Sequence, residues 1–325
     1  MLTKDNTAQI KGIAVLCMIF LHLFANPHRI PTESKLDWMG VPITHAFQIC
    51  VPIYLFMAGY GLQCLAAKGG VNWQHIGKRL QKLYVSFWWV AVPFIFLGWI
   101  VGYYTLDAKN FFYNFSGLTA SYNGEWWFFS LYVEQLILFY FISKITLGWK
   151  GYLLLMVGLL VLTRVQNNVL HLDDSVIVER HLKMVLIDLN IFMLGCFFAR
   201  FDVFRWLYRK CAWLFDNYVL APFLLIIPIL VRAYLPVIGI TELFTVPIFI
   251  VGVVNICNFV YGGKILFFFG KHSMNLWLIH SFFIFYYLKN ITFLTDNPFV
   301  MFLTVMGCSL SCSMAIEFLK TKIHL

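Results

Sequence analysis

The sequence is poor in charged residues, since Asp, Glu, Lys and Arg together make up only 12% of its 325 residues. Soluble domains usually contain about 25% charged residues and about 45–50% hydrophobic residues. Hydrophobic residues reach 61% in this chain. These proportions exclude ordinary soluble enzymes, secreted disulfide scaffolds and disordered chains, and they are typical of membrane proteins.

The sequence also lacks cysteine pairs at metal-ligand spacing. Its eight cysteines are scattered through apolar segments without a C-x-x-C pair, so neither a metal site nor a disulfide framework is predicted. No low-complexity tract, internal repeat or long polar stretch marks a second domain, and we expect a single transmembrane domain over residues 1–325. The net charge of +9 comes from basic residues that flank apolar runs. This pattern indicates membrane orientation and not nucleic-acid binding.

Ten apolar runs are long enough, or nearly so, to cross a bilayer as helices. They cover roughly residues 10–26, 43–66, 83–104, 124–143, 150–164, 183–200, 212–233, 243–261, 265–288 and 298–319. The runs are too long for spanning strands and lack their alternation. We therefore predict an all-α integral membrane protein, a bundle of about ten transmembrane helices.

Lysine and arginine divide unequally between the two sets of loops that ten spans create. About 16 fall on the side of the N-terminus and about 8 on the other side, and the more basic side of a membrane protein is normally cytoplasmic. We therefore predict that both termini lie in the cytoplasm.

The first predicted span contains Lys11 and His22. Eleven helical positions amount to three turns plus about 20°, so both side chains lie on one face, about 16 Å apart along the axis. A neutral imidazole at that depth can accept a proton. The alternative is a core histidine that hydrogen-bonds a neighbouring helix, and helix geometry leaves both interpretations open.

Acidic residues also occur in the predicted spans, where they must be paired or protonated. They are Glu125 and Glu134 in the fourth span, Asp188 in the sixth and Asp216 in the seventh. Three roles remain open for Glu134: holding an acceptor hydroxyl, orienting His22, or bonding a facing helix. His45, at the external entrance of the second span, is predicted to lie at the level of His22.

A basic segment, Lys78-Arg79-Leu80-Gln81-Lys82, is predicted just inside the membrane between the second and third spans. It is either an orientation signal or an anion site, in which Arg forms a forked phosphate contact and Lys supplies a point charge. Composition does not choose between these two interpretations.

Five segments form an ordered series of motifs along the chain. They are IKGIAVLCMIFLHLF (with Lys11 and His22), VPIYLFMAGYGL (with Ala58), RLQK (Arg79 to Lys82), WFFSLYVEQLILFY (with Ser130 and Glu134) and FGKHSMNLWLIHSFF (with Trp277 and His280). The series resembles the acyltransferase-3 family, the multi-span bacterial membrane acyltransferases that often O-acetylate sugars, and the resemblance covers nearly the whole chain. Three residues depart from the family's usual pattern: Ala58 stands in place of Ser, Lys82 in place of the second Arg, and Trp277 in place of Tyr.

The resemblance implies a ten-helix core in the plasma or inner membrane of the cell. It implies a donor, expected to be acetyl-CoA, that binds from the cytoplasm, and an acceptor hydroxyl on a cell-surface polysaccharide or lipid-linked glycan. No metal is expected. The resemblance implies that His22 is the general base and that Glu134 is a second catalytic residue. The implied CoA-binding residues are Lys11, Lys78, Arg79 and Lys82, and the implied acceptor-binding residues are His45, Trp127, Ser130 and His280.

Two other classes of function remain open from the sequence. A transporter or flippase would line a substrate path with the same intramembrane polar residues, although no inverted repeat is evident. A structural membrane subunit would use His22, Glu134 and Asp188 only to join helices.

Overall fold

The structure, a computed structural model, describes residues 2–25, 41–170, 172–215, 217–235, 239–259 and 262–323. All regular elements in these ranges are helical. The α-helices are α1 (Lys4–Phe24), α2 (Val41–Ala46), α3 (Cys50–Ala66), α4 (Trp73–Ile100), α5 (Ala108–Phe115), α6 (Trp127–Ile142), α7 (Trp149–Val165), α8 (Ile177–Arg200), α9 (Val203–Lys210), α10 (Ala221–Tyr234), α11 (Thr241–Phe259), α12 (Gly262–Ile279), α13 (Lys289–Thr292) and α14 (Pro298–Lys322). Two short 3₁₀ turns, Gly124–Trp126 before α6 and His280–Phe283 after α12, contribute to the site. Asp216, one of the predicted intramembrane acids, lies outside the described residues.

Helices with the length and composition of membrane spans dominate the fold. Seven described segments are long and apolar enough to cross a membrane: Lys4–Phe24, Ile43–Ala66, Trp73–Ile100, Trp149–Leu170, Ile177–Arg200, Thr241–Asn258 and Pro298–Lys322. Helices α6 and α10, with 16 and 14 residues, are shorter than the roughly 20 residues that a bilayer requires. The prediction of an all-helical membrane protein is confirmed, whereas the count of about ten spans and the cytoplasmic placement of both termini stay predictions.

Two predicted spans have different limits in the structure. Helix α4 begins at Trp73, well before the predicted start at residue 83, so the basic segment 78–82 lies on the first turns of a helix and not in a loop. The span predicted over 265–288 ends as an α-helix at Ile279 and continues as a 3₁₀ turn. Both differences affect the residues that the sequence analysis selected.

Side-chain caps set the start of α1 and of α4. The Thr3 hydroxyl accepts a hydrogen bond from the backbone N–H of Asn6 at 3.0 Å, and the Asn6 side chain accepts one from the backbone N–H of Thr3 at 3.1 Å. This reciprocal arrangement is a capping box. The side chain of Asn72 accepts from the backbone N–H of His75 at 2.9 Å, which satisfies one of the free donors at the start of α4.

Helices α1 and α12 touch backbone to backbone. A Cβ atom on Gly12 would lie 1.9 Å from the carbonyl oxygen of Leu266, and a Cβ atom on Gly270 would lie 1.8 Å from that of Ala8. Only glycine permits so close an approach between helices. The two segments meet again ten residues after each glycine, where His22 contacts His280. They therefore run parallel from the crossing to these histidines.

A second crossing of the same kind joins α3 and α8. Cβ atoms on Gly59 and Gly195 would each lie 2.0 Å from a backbone oxygen of the facing helix, that of Phe192 and that of Phe56. The described helices therefore include two pairs whose separation is fixed by glycine.

We expect the substitution Gly12→Leu to prevent normal folding, because the new side chain would collide with main-chain atoms of α12 that cannot move aside. The expected loss of stability exceeds about 3 kcal/mol, the upper end of the usual cost of overpacking. Thermal unfolding of the purified protein in detergent measures it. Gly158→Leu is the matched control, since no atom lies within 4 Å of a Cβ at Gly158. Equal stability of the two variants would contradict the close crossing.

Candidate active site

A cavity of about 780 Å³ lies between five helices. Its walls come mainly from α1, α3, α4, α6 and α12, and on each helix the lining residues recur at helical spacing. On α4 they are Arg79, Lys82, Leu83 and Ser86, and on α6 they are Trp127, Phe128, Tyr132 and Leu136. Small-molecule sites in proteins occupy about 300–1,000 Å³, so the cavity is large enough for a substantial ligand.

Three cations line the part of the cavity that we call the basic end: Lys11 from α1, and Arg79 and Lys82 from α4. Arg79 and Lys82 are three residues apart and so share a helix face, and both line the same cavity as Lys11. Lys78 is exposed and does not line the cavity, because it lies about 100° round the helix from Arg79. Three of the four predicted CoA-binding residues are therefore brought together.

The part of the cavity that we call the histidine end contains His22 and Glu125. His22 lies about 16 Å further along α1 than Lys11, from the rise of a helix. Its Nε2 is 3.1 Å from Oε2 of Glu125, and the two side chains are only 14% and 10% exposed. His45, which is exposed, and Trp127 also line the cavity.

A second histidine contacts His22 through the ring nitrogen that does not face Glu125. Nδ1 of His22 is 2.6 Å from Nε2 of His280, and His280 is completely buried in the 3₁₀ turn that follows α12. The predicted acceptor-binding residue His280 therefore contacts His22, and it is not among the residues that line the cavity.

Three hydrogen bonds hold the segment around Glu125 against the end of α12. The Asn123 amide donates to the Ser281 hydroxyl at 2.7 Å, and the Trp126 indole donates to the carbonyl of Leu278 at 3.0 Å. The Trp277 indole donates in the opposite direction, to the carbonyl of Glu125 at 3.2 Å. These bonds place Glu125 and His280 on either side of His22.

Glu134 and Ser130 do not line the cavity. The Glu134 carboxylate pairs with Nδ1 of His181 on α8, and Nε2 of His181 donates to the carbonyl of Leu118 at 3.0 Å. The Ser130 hydroxyl donates to the carbonyl of Trp127 at 3.1 Å. The sequence analysis considered Glu134 for the position beside His22, but Glu125 occupies this position. Glu134 lies nine residues further along the chain, which corresponds to about 13 Å along a helix.

Several cavity residues were given no role by the sequence analysis. Glu125 was noted as an intramembrane acid without a function, and its signal was its place directly before an aromatic helix start, within Asn-Gly-Glu-Trp. Tyr54, Tyr132 and Ser273 also line the cavity. Tyr54 donates its hydroxyl to the backbone carbonyl of Lys11 at 3.2 Å.

The arrangement combines an anion-binding group with an acid–base group in one cavity. Like charges held together at the basic end would be stabilised by an anion. An imidazole beside a carboxylate, both largely excluded from solvent, can take up and release a proton. Among the described residues, no three His, Cys, Asp or Glu side chains are grouped so as to hold a metal ion.

Comparison with known proteins agrees with this chemistry. A family model described as Acyltransferase domain, that of the acyltransferase-3 family, matches residues 9–318. No curated protein and no solved structure matches the chain significantly. The matched region contains every residue of both ends of the cavity and covers nearly the whole sequence, and on this ground the chain belongs to the acyltransferase-3 family.

Proposed function

We propose that the protein is an integral-membrane O-acyltransferase. It moves an acyl group, acetyl in the first instance, from acyl-CoA to a hydroxyl group of a cell-surface polysaccharide or lipid-linked glycan. The donor enters at the basic end of the cavity, from the cytoplasm, and the acceptor meets it at the histidine end. The protein acts in the plasma or inner membrane.

One observation carries the proposal: the same cavity is lined by Lys11, Arg79 and Lys82 and by the His22–Glu125 pair. The rise of about 16 Å between Lys11 and His22 suits an extended carrier arm whose anionic end and reactive end are widely separated. Acyl-CoA has this form, with phosphates at one end and a thioester at the other.

The wall between the two ends fits such an arm. Tyr54, Tyr132, Ser86 and Ser273 present hydroxyl groups along the cavity, interleaved with aromatic and aliphatic side chains. The ring of Phe128 lies edge-on to Trp277, with centroids 5.4 Å apart. A lining that alternates polar and apolar groups can accommodate both the amides and the methylene groups of a pantetheine chain.

In the proposed reaction, His22 takes the proton of the acceptor hydroxyl while the hydroxyl oxygen attacks the thioester carbonyl. The C–O bond forms, the C–S bond breaks, and the proton passes from His22 to the thiolate of CoA. The products are an O-acyl ester and CoA thiol. The Glu125 carboxylate, 3.1 Å from Nε2, stabilises the imidazolium that exists between these two proton transfers.

The experiment that tests the function uses the full chain reconstituted in lipid vesicles with radiolabelled acetyl-CoA and a glycan acceptor. We expect labelled glycan whose label is released by mild alkali, as an ester is, together with an equal amount of free CoA thiol. Movement of the glycan across the vesicle membrane without release of CoA would instead support a transporter and contradict the proposal.

Donor binding provides a further prediction. Arg79→Ala and Lys82→Ala should each raise the KM for acetyl-CoA about 10- to 100-fold, because a hydrogen bond to a charged group contributes about 1.5–3 kcal/mol. Steady-state kinetics over a range of donor concentrations measure this effect.

Lys68→Ala is the matched control, since Lys68 is exposed and lies outside the cavity. Lys78→Ala compares the sequence motif with the geometry: the motif predicts a raised KM, and the exposed position of Lys78 predicts little change. An unchanged KM in Arg79→Ala and Lys82→Ala would contradict donor binding at the basic end.

A further inference from the structure

His280 cannot touch a substrate that occupies the cavity. Its side chain is completely buried, and it does not line the cavity. Among the described side chains that line the cavity, it forms a hydrogen bond with that of His22, a nitrogen-to-nitrogen contact of 2.6 Å. Any effect of His280 on the reaction must therefore act through His22.

The position of the hydrogen on His280 follows from its other contacts. Nδ1 of His280 lies 2.7 Å from the carbonyl oxygen of Trp277 and 3.1 Å from that of Leu276. Carbonyl oxygens only accept hydrogen bonds, so Nδ1 carries a hydrogen. A completely buried imidazole is disfavoured in its charged form, and a neutral ring with a hydrogen on Nδ1 has a lone pair on Nε2.

This lone pair determines the hydrogen on His22. The two ring planes differ by 11° and the ring centroids are 4.9 Å apart, although the nearest nitrogens are only 2.6 Å apart. The rings therefore meet edge to edge, with the lone pair of His280 directed at Nδ1 of His22. Such a contact requires a hydrogen on Nδ1 of His22.

The remaining nitrogen of His22, Nε2, is then the one that can exchange a proton. It lies 3.1 Å from Oε2 of Glu125, and such a contact needs one hydrogen between the two atoms while no acceptor is bound. In a neutral histidine, the hydrogen bond made by one nitrogen determines which nitrogen is left as the base.

We propose that His280 is a positioning residue that holds His22 in the tautomer with hydrogen on Nδ1, and thereby makes Nε2 the nitrogen that receives the acceptor's proton. The chain of bonds runs from the carbonyl of Trp277 through His280 to His22. The expected effect on the rate rests on the proposed acyl transfer, whereas the tautomer itself does not.

Two substitutions separate the hydrogen bond from the volume of the ring. In His280→Gln, the side-chain amide oxygen can take the place of Nε2 and accept from Nδ1 of His22. In His280→Leu, the side chain fills much of the same space and cannot accept a hydrogen bond. Both are made in the full chain, reconstituted in lipid with ¹⁵N-labelled histidine.

The first measurement is the ¹⁵N chemical shifts of His22, assigned by their loss in His22→Ala. We expect the wild type and His280→Gln to show hydrogen on Nδ1, and His280→Leu to lose this preference. The second measurement is acetyl transfer. We expect His280→Gln to retain kcat within about 3-fold and His280→Leu to lose about 20-fold, by analogy with the roughly 10- to 100-fold loss found when the hydrogen-bond partner of a metal-ligating histidine is removed. The KM for acetyl-CoA should stay unchanged in both variants.

The outcomes distinguish this proposal from the proposed function. A His22 ring with hydrogen on Nε2 and none on Nδ1 in the wild type would overturn the tautomer assignment, whatever the activity. A normal kcat in His280→Leu, or an equal loss in both variants, would overturn the positioning role. If the shifts behave as expected and no form of the protein transfers acetyl groups, the tautomer assignment stands and the proposed acyl transfer fails.

Discussion

His22→Ala should lower kcat for acetyl transfer about 10²- to 10⁴-fold, the usual contribution of a general base. The substitution removes the imidazole nitrogen that the structure places in the cavity beside the Glu125 carboxylate. The KM for acetyl-CoA should change little, because Lys11, Arg79 and Lys82 are left in place. Initial rates of ester formation in reconstituted vesicles measure both quantities.

The control for this substitution is His75→Ala, which removes an exposed histidine on α4 that does not line the cavity. Its kcat should equal that of the wild type. A kcat in His22→Ala within about 3-fold of the wild type, far less than general-base catalysis contributes, would exclude His22 as the base. The Lys11–His22 face of α1 would then be a packing feature.

Glu125→Gln should lower kcat about 100-fold, since a hydrogen bond to a charged group contributes about 1.5–3 kcal/mol and each 1.4 kcal/mol corresponds to a tenfold change. Glutamine keeps the size of the side chain and removes its charge. The imidazolium that forms on His22 would then lose the carboxylate now 3.1 Å away. Single-turnover kinetics with bound acetyl-CoA isolate this step from donor binding.

Glu134→Gln is the informative comparison, because the resemblance to the family selected Glu134 whereas the geometry selects Glu125. We expect Glu134→Gln to lower the thermal stability, since His181 loses its partner, and to leave most of kcat. A large loss of kcat in Glu134→Gln together with normal kcat in Glu125→Gln would contradict the assignment made from the structure.

Features that depend on one helix could be predicted from the sequence. The shared face of Lys11 and His22 followed from the helical repeat, and both residues line the same cavity. The family motifs likewise pointed to Arg79, Lys82 and Trp127, which also line it. The period of a single helix carries the information in the first case, and the resemblance to the family carries it in the second.

Features that depend on how helices are rotated against one another could not be predicted. The motif on α6 gave no means of knowing that Phe128, Tyr132 and Leu136 face the cavity, while Glu134 faces α8. The partnership of His22 with Glu125 joins residues far apart in the sequence, and it depends on the hydrogen bonds that hold the start of α6 against α12. Local patterns contain no record of such contacts.

His280 shows the same limit in a different form. The motif selected the residue, but its complete burial and its contact with His22 depend on how the 3₁₀ turn after α12 packs against α1. The contact of His280 with His22, in place of the predicted acceptor contact, is therefore a feature of helix packing.

The chain of hydrogen bonds behind His22 terminates at a peptide carbonyl, that of Trp277. A carbonyl oxygen has no hydrogen to pass on, so this branch cannot conduct a proton out of the site. In the proposed reaction, the proton that leaves the acceptor must return to the sulfur of the departing coenzyme. Each turnover then exchanges an acyl group for a hydrogen between a neutral thioester group and a neutral hydroxyl group, and the charge of each molecule stays the same. The transfer is electrically silent: neither the voltage across the bilayer nor a pH difference contributes to its equilibrium, and the energy of the thioester alone drives it.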